Sequence, residues 1–325
     1  MKKYMTFLFY LLAVQGLLVS CGADEEEEVQ EAVEKALVCL TNGDCQCAID
    51  ELEEIGMQNR NAMYLKTLSS GYACRAGYST TVVVADDIGG NKLATPSMLG
   101  GFTTFTGADE MDSFDEQTFL DLQEAIDILL YAGGISTSVN PDKDRRALFF
   151  SDTEASDINA QLFFMLMTQI GKYLYFYGGA DADGNKGEDD GDTCLLNYDA
   201  AVNYGLFGGS NNCNNDDTGS IRLGVSTDHN TERMCQGVIL FNALYDILPA
   251  LVDSFTGDGF GDLSTIESNL STAIDDLTAA VPAAADIVNL LSQNVCESTY
   301  SDDAAPANDD NLEYYYFFTL ESLFE

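Results

Sequence analysis

The sequence predicts a mainly α-helical protein built of antiparallel helix hairpins, with long loops and disulfide staples. Apolar residues recur at intervals of three and four along most of the chain, which is the spacing of one helix face. Several of these runs begin with a Ser that is followed three residues later by Glu, a helix-capping pattern. The third observation is cysteine usage, because nine cysteines occur and all but Cys21 lie well inside the chain.

Residues 1–20 have the three parts of an export signal. Lys2 and Lys3 come first, an apolar stretch runs from Phe7 to Leu18, and small residues follow. The apolar stretch is too short to cross a bilayer stably, and acidic residues follow it. We therefore predict that residues 1–20 are a signal peptide and are absent from the mature protein.

The residues Leu18-Val19-Ser20-Cys21 resemble the lipobox of bacterial lipoproteins. In that family the cysteine receives a diacylglyceryl group, and a further acyl chain such as palmitate is added after cleavage. The resemblance implies that Cys21 is the lipidated first residue and that residues 21–28 are an acidic tether. Gly22 stands where inner-membrane lipoproteins carry Asp, which implies the outer membrane, with the body facing the periplasm. The alternative is an ordinary secretory signal with an incidental cysteine.

The charge of the chain is strongly acidic. The net charge is −40, and removal of Lys2 and Lys3 with the signal leaves 12 basic and 54 acidic side chains, a net charge of −42. Such a surface repels phosphate backbones, so nucleic acid is not expected as a partner. A solvated acidic surface suited to saline surroundings is the favoured interpretation, and a supply of carboxylates to divalent cations is the alternative.

Eight cysteines remain when Cys21 is assigned to lipid, and an even number in an exported protein favours disulfides. They fall into two groups of four, and we expect pairing within each group. Metal binding by the first group is disfavoured, because no histidine lies near it and the periplasm is oxidising. The eight are Cys39, Cys45, Cys47, Cys74, Cys194, Cys213, Cys235 and Cys296.

Three helices are predicted at the start of the mature chain. A helical pattern begins at Val29 and is stopped by Asn42-Gly43. Asp44 is placed to cap a second helix, and a third runs from about Asn59 to Arg75. Because their connections are short, these helices are expected to be antiparallel neighbours.

The stretches "EKALVCLTNGDCQCAIDELEEI" and "AMYLKTLSSGYACRAGYS" resemble tetratricopeptide repeats. Small residues stand at matching positions, namely Ala36, Gly43 and Ala48 in one repeat and Gly71 and Gly77 in the next. The usual Trp and the closing Pro are missing. The resemblance implies tetratricopeptide-like helical hairpins over residues 29–79, with a groove between helices that binds a partner protein.

The same resemblance implies a disulfide arrangement. In such repeats the start of the second helix lies beside the end of the third, which places Cys45 and Cys47 near Cys74. We predict a bond between Cys47 and Cys74, and a second bond that involves Cys39.

Residues 80–325 are predicted to form a helical domain packed on the first. Residues 80–113 are rich in Gly, Thr and Ser and predict a long connection. Capping boxes predict that helices begin at Ser113, Ser151 and Ser264. Further helices are expected over three ranges: Glu232 to Leu251, Ala283 to Cys296 and Leu312 to Phe324.

The loop "GGADADGNKGEDDGDTC", residues 178–194, is the candidate metal site and is called the acidic loop below. Its alternating oxygen ligands fit calcium, and its glycines permit sharp turns. It departs from the EF-hand pattern, and it resembles the Asp-rich loops of thrombospondin-type repeats. The alternative is a solvated acidic turn. The candidate ligands are Asp181, Asp183, Asn185, Asp189 and Asp192, and Cys194 is expected to pair with Cys213.

Other motifs for chemistry are sparse. The stretch "GDGFGDLSTIESNL", residues 257–270, resembles a metal-loop fragment of α-amylase-type glycosidases, and a glycine-rich turn before a helix is the favoured interpretation. The chain has one histidine, His229, which we interpret as a surface or capping residue. No GxSxG or HExxH pattern occurs, so no catalytic residue is predicted.

These patterns predict a lipid-anchored cell-envelope protein that acts as a structural or protein-interaction module stabilised by calcium. Its expected partners are the membrane, through the lipid anchor, and another envelope protein. The first alternative is the ligand-binding component of a transport system, which requires an apolar pocket with a few convergent polar groups. The second is a hydrolase that uses two carboxylates in a cleft.

Replacement of Cys21 by Ser tests the lipid anchor. We expect radioactive palmitate to label the wild-type chain in growing cells and to leave Cys21→Ser unlabelled, because the substituted chain lacks the thiol that accepts lipid. Labelled protein is measured by autoradiography after immunoprecipitation. Label on Cys21→Ser would contradict the lipoprotein prediction.

Overall fold

A computed structural model shows that the chain is mainly helical and carries disulfides, as predicted. The acidic character of the sequence does not prevent a large shared core, to which almost every helix contributes apolar side chains. The structure describes residues 26–94, 97–108, 113, 115–187, 194–196, 198, 223–225, 228–252, 263–300 and 306–324.

Three helices open the described chain: α1 over residues 26–41, α2 over Cys45–Glu53 and α3 over Ala62–Arg75. Gly43 ends α1 with a φ of 75°, a conformation that favours glycine. The side chain of Asp44 accepts a hydrogen bond from the backbone N of Cys47 at 3.1 Å, which confirms the predicted cap. Asn61 caps α3 in the same way.

Two disulfides join these helices, and their pairing corrects a prediction. Cys39 bonds to Cys47, and Cys45 bonds to Cys74, so the predicted bond between Cys47 and Cys74 is wrong. The reason is helix geometry, because residues two apart on a helix point to different faces. On α2, Cys45 therefore faces α3 while Cys47 faces α1.

The second group of cysteines is partly described. Cys235 bonds to Cys296, which is a pairing within the group as expected. Cys194 is also disulfide-bonded. Its predicted partner Cys213 lies outside the described residues.

Residues 80–113 contain helices where the sequence predicts a connection. α4 covers Thr80–Val82 and continues as a π-helix over Val83–Ile88, a 3₁₀ turn covers Lys92–Ala94, and α5 covers Met98–Thr103. The glycines that suggested a loop serve close packing instead. An added Cβ at Gly101 would lie 2.5 Å from the backbone oxygen of Lys92.

The middle of the chain contains α6 over Gln117–Leu130, α7 over Lys143–Ala147 and α8 over Asp152–Gly178. The capping box of Ser151 and Glu154 is confirmed at the start of α8. The box predicted for Ser113 is wrong, because α6 begins at Gln117 with Glu116 at its N-cap. A short antiparallel pair follows, β1 over Gly224–Val225 and β2 over Asp228–His229.

The last third contains α9 over Thr231–Val252, α10 over Leu263–Ala280, a 3₁₀ helix over Pro282–Asn289 and α11 over Gln293–Tyr300. It closes with α12 over Pro306–Tyr315, which continues as a π-helix over Tyr316–Glu321 and a last turn over Ser322–Phe324.

Two predicted boundaries in this third are wrong. Ser264 lies inside α10, which already begins at Leu263. The helix predicted from Ala283 to Cys296 is two helices, because Leu290 is extended. The buried Asn242 side chain stabilises this break by donating to the backbone oxygens of Ile287 and Leu290 at 2.7 and 2.9 Å.

The long helix α8 is the centre of the fold. It is buried on nearly every face, and α3, α5, α6, α7 and α9 pack around it. Near its end, Gln169 donates to the backbone oxygen of Phe119 at the start of α6, and Tyr173 donates to that of Arg233 at the start of α9. Both α6 and α9 therefore run antiparallel to α8.

One helix within the described residues is long and apolar enough to span a membrane. It covers Thr231–Leu251 of α9, but 72% of this window is buried inside the protein. The packing of α9 against α8 accounts for its apolar character, as in the core helix of a globular protein.

Candidate functional site

A cleft of about 640 Å³ opens in the connection between α6 and α8, which includes the short helix α7. Its apolar surface comes from Ile135, Val139, Leu148 and Phe149, and its polar groups come from three charged side chains and a serine. The lining residues are Ile135, Ser136, Val139, Asp142, Asp144, Arg145, Leu148 and Phe149. The cleft combines an apolar floor with a charged rim.

The buried side chain of Arg146 holds this connection in place. Only 1% of Arg146 is exposed. Its Nε and Nη2 atoms donate to Oδ1 of Asn159 on α8 at 3.3 and 3.0 Å. Its Nη1 atom donates to the backbone oxygens of Leu130 and Pro141. The guanidinium thus links the end of α6 and the middle of the connection to α8.

Asp246 of α9 completes the support of the cleft. Its carboxylate lies 3.6 Å from Nη2 of Arg146 and accepts a hydrogen bond from the backbone N of Lys143 at 2.7 Å. Burial lowers the pKa of Arg146 to about 10, while the Asp246 carboxylate opposes this shift. The guanidinium therefore stays charged at neutral pH and keeps its ionic partner.

The turn between α2 and α3 packs against the same connection. The backbone N of Gly133 donates to the oxygen of Asn59 at 2.8 Å. Gly133 has a φ of 90°, and an added Cβ there would overlap the ring of Phe149. The guanidinium of Arg60 lies over that ring, 5.4 Å from its centroid. Residues 57–63 and 135–149 therefore form one surface, which we call the cleft face.

Large apolar side chains are exposed on the cleft face. Leu148 is 80% exposed, Met57 51% and Met63 53%. Elsewhere in the described part of the chain, the exposed large apolar residues are Leu37, Val38 and Leu120. Half of this set therefore lies on two adjoining segments. Such a concentration is typical of an interaction surface.

The acids of the cleft have structural contacts. Asp142 is the N-cap of α7, because its side chain accepts from the backbone N of Arg145 at 2.7 Å. The Nε atom of Arg145 lies 3.8 Å from the same carboxylate. Asp144 lies exposed on the first turn of α7. Asp142, Asp144 and Arg145 thus form the charged rim of the cleft.

Part of the predicted calcium site is described. Asp181 and Asn185 come together, since the Asp181 carboxylate accepts from the backbone N and from the side-chain amide of Asn185, both at 2.8 Å. It also accepts from the backbone N of Asp183. These bonds lower the pKa of Asp181, with the Asn185 side chain as the main cause. Asp189 and Asp192 lie outside the described residues.

Glu321 of the last helix anchors the acidic loop to the body. Its carboxylate accepts from Nζ of Lys186, from the backbone N of Leu195 and from the hydroxyl of Tyr198. Lys186 and Glu321 are both buried, so their ion pair is shielded from solvent. The two ends of the segment between Lys186 and Leu195 therefore meet at one carboxylate.

The remaining predicted residues are placed as follows. Cys21 and residues 257–262 of the glycine-rich stretch lie outside the described residues, and His229 lies in β2 opposite Gly224. Within the described ranges, no group of three or more His, Cys, Asp or Glu side chains is placed to hold a metal ion. The cleft was missed because no known motif marks it. Its one sequence signal is the basic run "KDRR" in an acidic chain.

Comparison of the chain with known protein families, with curated proteins and with solved structures finds no match.

A second feature is Asp127 on α6, an acidic side chain with a raised pKa. Asp127 accepts a hydrogen bond from the side chain of Gln123 at 3.0 Å. Burial, and to a smaller extent the nearby Glu124 carboxylate, raise the pKa of Asp127 to about 7, although the hydrogen bond from Gln123 opposes the shift. Because the folded state holds this proton more tightly than the unfolded state, Asp127 stabilises the fold at low pH. Its contribution is lost as the pH rises through about 7.

Asp127→Asn should therefore become more stable relative to the wild type as the pH rises from 5 to 8, since Asn never ionises. Urea midpoints at the two pH values measure this. Asp50→Asn is the matched control, because Asp50 accepts the same bond from Gln46 on an exposed face of α2. An equal gap between Asp127→Asn and the wild type at both pH values would contradict the prediction.

Proposed function

We propose that this chain is a lipid-anchored protein of the bacterial outer membrane whose helical body faces the periplasm and acts as a protein-interaction module. The lipobox-like sequence that ends at Cys21 supports the anchor. The disulfides Cys39–Cys47, Cys45–Cys74 and Cys235–Cys296 fit an oxidising compartment. The docking surface is the cleft face.

The observation that carries this proposal is Leu148, which is 80% exposed beside an apolar cleft. Full burial of a leucine side chain stabilises an assembly by about 1.5–3 kcal/mol. A partner that covers Leu148 therefore gains binding free energy, because this side chain is exposed to water in the isolated chain. Met57 and Met63 add exposed apolar side chains on the adjoining segment, and methionine adapts its shape to different partners.

The support of the cleft adds to this argument. Arg146 fixes the connection to α8, and Asp246 fixes it to α9. A surface that is already ordered loses little conformational entropy on binding. The cleft face is therefore suited to dock a partner without first rearranging.

A second candidate is the ligand-binding component of a transport system. The cleft volume of about 640 Å³ lies in the range of small-molecule sites, and its lining is apolar with a few polar groups. A small ligand in the cleft, however, would leave Met57 and Met63 in water, because neither residue lines the cleft. A protein partner can cover both methionines as well as Leu148, so we favour the interaction function.

We also propose calcium as a structural ligand of the acidic loop. The carboxylate of Asp181 already organises the turn through Asn185, and the hydrogen bonds that it accepts stabilise its charged form and so lower its pKa. A bound cation would stabilise the loop and not take part in catalysis.

Calcium should raise the melting temperature of the wild type, because a ligand that binds only the folded state at 100 times its Kd adds about 2.7 kcal/mol. The double change Asp181→Asn with Asp183→Asn keeps the acceptor of the turn and removes two charges, so the rise should be lost. Scanning calorimetry with calcium and with chelator measures this, and Asp157→Asn on α8 is the control. An unchanged wild type would contradict the proposal.

A photo-crosslinking residue at position 148 tests the interaction function. We expect p-benzoylphenylalanine in place of Leu148 to form a protein adduct in irradiated cells, since a docked partner lies against this position. The same residue at Val38 is the control, because Val38 is 62% exposed but lies on α1, outside the cleft face. Adducts are measured by immunoblotting. Equal adduct yields at positions 148 and 38 would contradict the proposal.

A further inference from the structure

We propose that the partner of the cleft face is a second copy of this chain, in a two-fold symmetric pair in which Leu148 of each copy enters the cleft of the other. This pairing rests on the proposed interaction function and names the partner. Three observations carry it: the shape of the face, its charge and the arrangement of its rim.

The cleft face carries an exposed apolar side chain at the edge of an apolar cleft, an arrangement that can match a second copy of itself. A protruding Leu148 and the apolar cleft belong to the same short connection between α6 and α8. In a two-fold symmetric pair the same patch of each copy forms the interface. Leu148 of one copy then lies opposite the cleft of the other, and the reciprocal contact forms at the same time. Ile135, Val139 and Phe149 provide the apolar surface that receives the leucine.

The charge of the cleft face removes the main obstacle to pairing. The chain carries a net charge of −40, so two copies repel each other over most of their surfaces. Residues 57–63 and 135–149 hold four of the 14 basic side chains and only two acids. Asp246 lies against Lys143 and Arg146 and offsets part of that excess. The cleft face is therefore nearly neutral, and two copies can approach there.

The rim offers ionic contacts of the correct symmetry. Asp144 and Arg145 are adjacent in sequence and both exposed. The internal contact of Arg145 with Asp142 is long, at 3.8 Å, and both side chains are exposed, so it contributes little stability. Arg145 can therefore exchange Asp142 for Asp144 of the second copy. Because of the two-fold symmetry, the ion pair between Arg145 and Asp144 forms twice across the interface.

The experiment uses the full chain in cells, with the photo-crosslinking residue at position 148. We expect an adduct of twice the mass of the chain, identified by mass spectrometry as two copies of this protein. Arg145→Asp should lower its yield about fivefold or more, because two ion pairs are lost and acids then face each other. The double change Asp144→Arg with Arg145→Asp should restore the yield to within about twofold, since the exchanged charges again meet their opposites.

The outcomes separate this pairing from the interaction function. An adduct with a different protein would overturn the pairing and leave the interaction function standing. An adduct yield at position 148 no higher than at Val38 would overturn both. An adduct of two copies that the double exchange does not restore would overturn the two-fold arrangement. Melting temperatures of the variants, expected to match the wild type because these side chains are exposed, verify that each variant is folded.

Discussion

The guanidinium of Arg146 links three helices at the point where the chain turns from α6 into α8. It binds the end of α6 through Leu130, the body of α8 through Asn159 and the charge of Asp246 on α9. Removal of one partner from a buried ion pair costs about 3–5 kcal/mol, because a charge then remains without compensation. The position of the connection is therefore set by charge as much as by apolar packing. The cleft face exists because this group cannot leave its site without that cost.

Two other parts of the fold use the same principle of a single anchor for irregular backbone. Glu321 receives donors from both ends of a loop segment, and Asn242 occupies two carbonyl oxygens at the break before α11. In each case one polar side chain on a helical segment satisfies backbone or charged groups that lack a partner within a helix. Long loops are tolerated in this protein because buried polar side chains on helices fix their ends.

Much of the helical framework could be predicted from the sequence, because its signals are local. Asp44 and Ser151 were correct caps, since capping depends on residues a few positions away. The short helices near α5 were missed because their glycines reflect tertiary packing, as at Gly101 against Lys92. The pairing of Cys45 with Cys74 depends on which face of α2 points toward α3, and the spacing of cysteines in the sequence does not reveal this. The cleft depends on contacts between distant residues such as Arg146 and Asp246, which no local pattern encodes.

The anchoring of the acidic loop has a consequence for how this protein can change through evolution. Lys186 and Leu195 are held by one carboxylate, so the path between them begins and ends at nearly the same place. Closing a longer loop between fixed ends costs only about 0.6 kcal/mol for each doubling of its length. Insertions at this point would therefore leave the helical body undisturbed. The segment is a natural position for added sequence, through which related chains could acquire new binding properties while keeping the same core.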